Sequence, residues 1–311
     1  MKSEHFYQLL SSFGKEDSQY YKKIVSVIVT ALKREECILV TYNQNNNVTP
    51  SSISSFIEFI TTSILPLSVS ITNVHNKTKI PTNRKNRSIN RGGSRRIQSP
   101  GPQSIDQRKG MDQIDDNPSP YLTNISIFES IHTYSDLATL SQVHREMSVE
   151  IDGETCPLLV PFVVFGITPD SLYLSRECLS VFSFHLHFDK PIEKLPAVNG
   201  SIFQVHSSIL PERPLQIHLH RDLSTYIAKL VLRLDCWPLV TSYIDTETKL
   251  LLIKVAEDHA FFNGRDYILP EDIQAVFPSL TTHKFLLPSI TSFAACLELI
   301  HSIIDMVDVP V

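Results

Sequence analysis

Apolar residues are arranged in two ways along this chain: short strand-like runs dominate the first two thirds, and helical stripes dominate the rest. Ile24, Val27, Ile28, Ala31 and Leu32 recur at helical spacing behind Asp17-Ser18, which suits a cap. They predict an amphipathic helix with one buried face. The apolar run CILVTY predicts a short buried strand, and NQNNNVTP a polar loop. Pro50-Ser51 opens a second helix over SSISSFIEFITTSIL, since proline is tolerated in the first turn. SVSITNV predicts another strand. Strand, loop, helix and strand in that order begin an α/β fold.

The pattern then breaks. From His75 to Pro120 the chain is rich in Arg, Lys, Asn, Ser, Gly and Pro and has few large apolar residues. Such a segment buries too little surface to offset its ordering entropy, which predicts disorder. Residues 77–109 are strongly basic. They read as a solvated insertion, a contact to a nucleic-acid phosphate backbone, or a localisation or protein-contact signal.

Order resumes with NISIFESI as a strand and SDLATLSQVHREM as a helix capped by Ser135 or Asp136. In VEIDGET, Asp152-Gly153 between apolar runs signals a hairpin, because glycine and Asn/Asp take positive φ at low cost. PFVVFGI is apolar throughout, as a parallel strand covered on both faces would be, and VFSFHLHF is a further strand. From Pro211 the stripes are helical: Leu223, Ile227, Leu230, Val231 and Leu234 lie on one side. TETKLLLIKVAEDHAFF follows and ends at Asn263-Gly264. LPEDIQAVFPSLTTHKF is opened by Pro270 with Glu271-Asp272 at its positive end, and SITSFAACLELIHSIIDMV comes last. The expected architecture is an α/β body (1–74 and 121–208), a basic disordered insertion (75–120) and a helical lid (209–311).

With 311 residues, 42% of them hydrophobic, the chain has material for a sizeable core, and its net charge of -5 gives no global attraction to nucleic acid or acidic membrane. Its five cysteines are odd in number and none is at CxxC spacing, which points to reduced thiols in an intracellular protein. The polar N-terminal stretch is no signal peptide, and IVSVIVTAL is too short to span a bilayer. The expectation is a protein of the nucleus or cytoplasm with no membrane partner.

VEIDGETCPLLVPFVVFGITPD resembles the presensor hairpin and sensor-1 strand of MoxR-type AAA+ ATPases. FFNGRDYILPEDIQAVFPSLTTHKFLL resembles their lid, and ECLSVFSFHLHFDKP falls between the two in the same order. The resemblance implies an AAA+-like parallel sheet flanked by helices, followed by an α-helical lid. It also implies machinery that this chain lacks. A P-loop, GxxxxGK[ST], uses glycines for close backbone approach and a lysine against the phosphates. TYNQNNNVTP puts Tyr42 and Asn45 where glycines belong and Val48 where the lysine belongs, leaving only Thr49. The Walker B strand retains one carboxylate, Glu129, instead of a pair. Thr168 stands for the sensor asparagine, the arginine finger falls at Val181, and the sensor-2 arginine falls at Glu247. Each such loss costs orders of magnitude in rate. The expectation is therefore an ATPase frame without ATPase chemistry, with no catalytic, cofactor-binding or metal-binding residue and no cofactor.

The degenerate loop, the lid pattern and the terminal DMVDVPV resemble the fungal maintenance of telomere capping protein 2 family, which implies a role in telomere capping. Three readings stand side by side. One is a non-catalytic scaffold or adaptor with a protein partner, its body–lid cleft partly filled by Tyr42 and Val48. Another is a partner-dependent nucleotide-binding subunit of an AAA+ assembly, using Glu129 and Thr49. The third is nucleic-acid binding through 77–109. His185 and His187 share a strand face, as do His218 and His220 if extended, but no third metal ligand stands at fixed spacing. Cys156 has no evident base, no G-x-S-x-G elbow is present, and Trp237 suits a helix end or lid core.

Overall fold

The computed structural model describes residues 18–64, 69–72, 124–133, 137–151, 154–158, 162–170, 174–192, 217–238, 240–242, 244–286 and 292–310. The basic stretch 77–109, the caps Asp17, Ser135 and Asp136, and the turn Asp152-Gly153 lie outside them. The strands are β1 (Ile38–Tyr42), β2 (Val69–Thr72), β3 (Ile125–Phe128), β4 (Ser148–Ile151), β5 (Glu154–Pro157), β6 (Val163–Pro169), β7 (Phe184–Phe188), β8 (Thr241–Ser242) and β9 (Phe285–Leu286). The helices are α1 (Ser18–Arg34), α2 (Pro50–Ile64), α3 (Leu137–Glu146), α4 (Arg176–Leu179), α5 (Arg221–Asp235), α6 (Thr246–Phe262), α7 (Pro270–Thr281) and α8 (Phe293–Met306).

Five strands form a parallel sheet in the order β2-β3-β6-β1-β7. β1 is paired on both edges and buried throughout, which is why CILVTY carries no polar alternation. Its side chains part by period two: Ile38, Val40 and Tyr42 join one core, and Leu39 joins the other. β6 divides in the same way, with Val163, Phe165 and Ile167 on one face and Val164 on the other. β4 and β5 pair antiparallel with Ile151 opposite Glu154, so the Asp-Gly segment joins them as the hairpin reading requires.

Gly166 in β6 lets Phe182 pack against the sheet. A Cβ there would meet Phe182 Cζ at 2.5 Å and Ile131 Cγ1 at 3.1 Å. Phe182 is fully buried. Gly166→Ala is expected to cost about 1–3 kcal/mol through overpacking. Thermal unfolding would read this as a lowered midpoint, and an unchanged midpoint would contradict the close packing.

The helices after residue 217 form a lid against the same sheet. Residues 217–220 are extended, with a bridge from His218 to Tyr267, and α5 starts only at Arg221 because His220 serves as its N-cap. Gly264 takes φ +74° after the Asn263 C-cap of α6, and Pro270 opens α7. The larger core is continuous across body and lid: Ile28, Phe56 and Phe188 belong to the same cluster as Leu230, Phe277 and Ile300.

Candidate functional site

In a P-loop fold, phosphates sit where the loop after the first strand meets the N-terminus of the next helix. Here that loop is residues 43–49, between β1 and α2. Its polar groups are turned on one another. Asn43 Oδ1 accepts from the Asn45 N–H at 2.9 Å, and the Asn43 carbonyl accepts from the Asn46 N–H at 3.3 Å. The Asn46 side-chain amide donates to the Asp189 carbonyl. Thr49 and Ser52 cap α2 reciprocally: Thr49 N–H donates to Ser52 Oγ and Ser52 N–H donates to Thr49 Oγ1, both at 3.2 Å. Position N1 is Pro50, which has no N–H to offer. Two of the helix N-terminal donors, the Thr49 and Ser52 N–H groups, are thus already engaged.

Val48, at the lysine position, is 4% exposed and belongs to the larger core, as does Tyr42. The loop carries no Lys or Arg to meet a triphosphate. Asn47 takes φ 55°, ψ 24°, the left-handed conformation. With the lysine position at Val48, GxxxxGK[ST] puts its second glycine here and not at Asn45 as expected from the sequence, and asparagine tolerates this left-handed conformation better than most residues. The αL preference of asparagine was the available signal, hidden within a run of three.

The remaining motif positions are also spread out. Glu129 is buried at the end of β3. Thr168 is buried in β6, 3.3 Å from His132 Nδ1. Val181 is buried in the smaller core. Glu247 lies in the first turn of α6 among the charges around Lys284. Burial pushes the Lys284 ammonium down, while Asp245, Glu36 and Glu247 pull it back up. Glu247 thus shares the surroundings of Lys284 with Glu36, which precedes β1.

His185 and His187 do share a face, and both turn to Thr41: its hydroxyl is 2.8 Å from His185 Nε2 and 2.9 Å from His187 Nδ1. One hydroxyl proton serves only one of them, so at least one imidazole donates. Burial pushes His185 down to about 3, with His187 adding to the effect. Burial also lowers His187, against the pull of Asp170 and Asp189. Among the described residues no cluster of three or more His, Cys, Asp or Glu is arranged for a metal. Cys37, Cys178 and Cys296 are buried and Cys236 is exposed; all four are free thiols. Burial raises Cys37 to about 12 and Cys178 and Cys296 to about 11, so these thiols stay protonated and unreactive at neutral pH.

Polar bonds concentrate at the seam between body and lid. Asp170, just after β6, accepts from the Ala294 N–H at the start of α8, 3.1 Å away. His283, just after α7, lies with Nε2 2.8 Å from the Phe182 carbonyl. Burial holds His283 well below its ordinary value, with Lys284 and His185 adding to it, so the ring is neutral and donates there. Asp258 in α6 takes Arg34 Nε at 2.8 Å and also pairs with Lys33. None of these three groups was singled out from the sequence.

Residues 238–291 match a family model described as the AAA lid domain. The chain is 25% identical over 217 residues to "Uncharacterized protein YeaC" of Bacillus subtilis, covering 62% of this chain and 68% of that protein. It is 23% identical over 208 residues to "Chaperone MoxR1" of Mycobacterium tuberculosis, covering 58% of this chain and 55% of that protein, so it spans about half of that relative. The crystal structure of a candidate ATPase from Cytophaga hutchinsonii superposes with a TM-score of 0.66 at 18% identity, covering 99% of this chain and 96% of the other. The chain therefore has an AAA+-like fold, a parallel sheet flanked by helices, followed by a segment that matches the AAA lid. No helix among the described residues is long and apolar enough to cross a membrane.

Proposed function

We propose that this chain is a non-catalytic scaffold of AAA+ descent, with its lid held on its body without nucleotide and its outer faces serving a protein partner. The observation that carries this reading is loop 43–49. Its lysine position is a core valine, and the helix behind it is capped by its own Thr49 and Ser52. ATP and ADP titrated with Mg²⁺ into the purified protein, up to millimolar concentration, are expected to give no heat and no thermal shift. Micromolar binding would overturn the reading.

The cellular setting we propose is telomere capping, on the resemblance to the fungal family, with a protein partner as the route to it. Depleting the protein is expected to leave chromosome ends less protected; unaltered end protection would remove that setting. A second reading keeps Glu129, which remains buried at the end of β3. A partner-dependent nucleotide-binding subunit would use that carboxylate with residues from a neighbour. Such a subunit would co-purify with an intact AAA+ protein and bind nucleotide only in that complex.

A further inference from the structure

A groove of about 400 Å³ opens between α1 on the body and α6, α7 and α8 of the lid. That volume falls within the range of small-molecule sites, about 300–1,000 Å³. Its residues are ordered by depth. Thr30, Val255, Val276 and Pro278 form a buried floor. Val27 and Phe262, half-buried, extend the apolar wall. Lys23, Asn263 and His301 stand exposed at the mouth.

The polarity is one-sided. Among the described residues no carboxylate lines the groove, whereas Lys22, Lys23, His259 and His301 do. Burial pushes the Lys23 ammonium down against the pull of Asp189, Asp305 faces His301, and Asp272 lies 2.7 Å from His259 Nδ1, but none of these carboxylates lines the groove. Burial, and then the nearby Lys23 charge, hold His301 below its ordinary value, against the pull of Asp305. The mouth thus combines an ammonium with a neutral imidazole, and both can donate to one anion. No residue of loop 43–49 lines the groove, so it is separate from the phosphate position of the frame.

We propose that this groove binds a small amphipathic organic anion, its charged group between Lys23 and His301 and its apolar body on Val27, Val255 and Val276. An occupant there touches α1 and the lid together, so binding strengthens the seam. A ligand that binds the folded state alone raises the unfolding midpoint with concentration.

The probe is 1-naphthyl phosphate, titrated into the full chain by calorimetry alongside inorganic phosphate. The expected result is saturable one-site binding, a rising thermal midpoint and much weaker binding of inorganic phosphate. Lys23→Gln should weaken the probe about tenfold or more through loss of a charge-assisted bond. Ala275→Trp, which fills the groove from α7, should abolish binding. Thermal unfolding of each variant without ligand confirms that it is folded. The proposal is overturned by three results: no wild-type binding at millimolar probe, equal affinity in folded Lys23→Gln and Ala275→Trp, or inorganic phosphate binding as tightly as the probe. An acidic amphipathic peptide that binds the groove where naphthyl phosphate does not would also overturn it.

Discussion

Asp258→Ala is expected to destabilise the chain by about 3–5 kcal/mol, the usual cost of breaking a buried ion pair from one side. Asp258 is the only carboxylate recorded in an ion pair with Lys33 or Arg34 among the described residues, and the three side chains are 5%, 11% and 12% exposed. Arg34 also donates to the Lys254 carbonyl at 2.7 Å, and Lys33 lies over the Phe261 ring, 5.8 Å from its centroid. Removing the carboxylate strands two cations in a seam that water reaches poorly. Urea unfolding of wild type and variant measures the loss, and a difference below about 1 kcal/mol would mean the pair is effectively solvated. The triple change Lys33→Met, Arg34→Met, Asp258→Leu separates pairing from packing. It should fall close to wild type, because apolar replacements leave no unpaired charge. A lid that swung with each nucleotide cycle would have to break this contact every time. A scaffold has no such requirement, so a large Asp258 effect fits the non-catalytic reading.

What could be read from the sequence follows the range of the interaction. Local rules placed α7, because Pro270 and the acidic pair behind it mark a helix start within four residues. Gly264 placed the end of α6 because its positive φ excludes most side chains. The hairpin and β6 were legible through an Asp-Gly turn signal and an unbroken apolar run. That loop 43–49 departs from GxxxxGK[ST] was visible in residue types alone, but its self-capping was not. Reciprocal bonding of Thr49 and Ser52 needs the chain's actual path. The seam was least visible. Lys33 and Asp258 lie 225 residues apart, and no periodicity in either helix marks its partner. His283 and Phe182 are 101 residues apart and meet only once the lid lies on the sheet. Tyr42 and Val48, expected to fill part of the cleft, are buried in the larger core; the sequence could not show that Phe277 and Ile300 of the lid belong to the same core.

Asp272→Asn is expected to have an effect of similar size, about 3–5 kcal/mol, from within the lid alone. Asp272 is fully buried at the third position of α7. Its carboxylate accepts two bonds from Arg265, both at 2.6 Å, one from the Leu269 N–H at 2.8 Å, and lies 2.7 Å from His259 Nδ1. It therefore fastens α6, the turn after it and α7 to one another. An asparagine keeps the shape but loses the charge, and its amide nitrogen would face donors. Burial alone would raise the Asp272 carboxyl, but bonds from His259, Arg265 and the Leu269 N–H outweigh it and hold the group below its ordinary 3.8. A depressed folded value sets the sign: the contribution is complete above the unfolded value and fades as pH falls through the lower folded one. Wild type should therefore lose stability below about pH 4. The asparagine variant, already weaker at neutral pH, should show a shallower acid limb. Urea midpoints at about pH 6, 4 and 3 test both parts. Parallel acid limbs would show that Asp272 titrates alike folded and unfolded, and would remove the buried carboxylate as the electrostatic anchor of the lid.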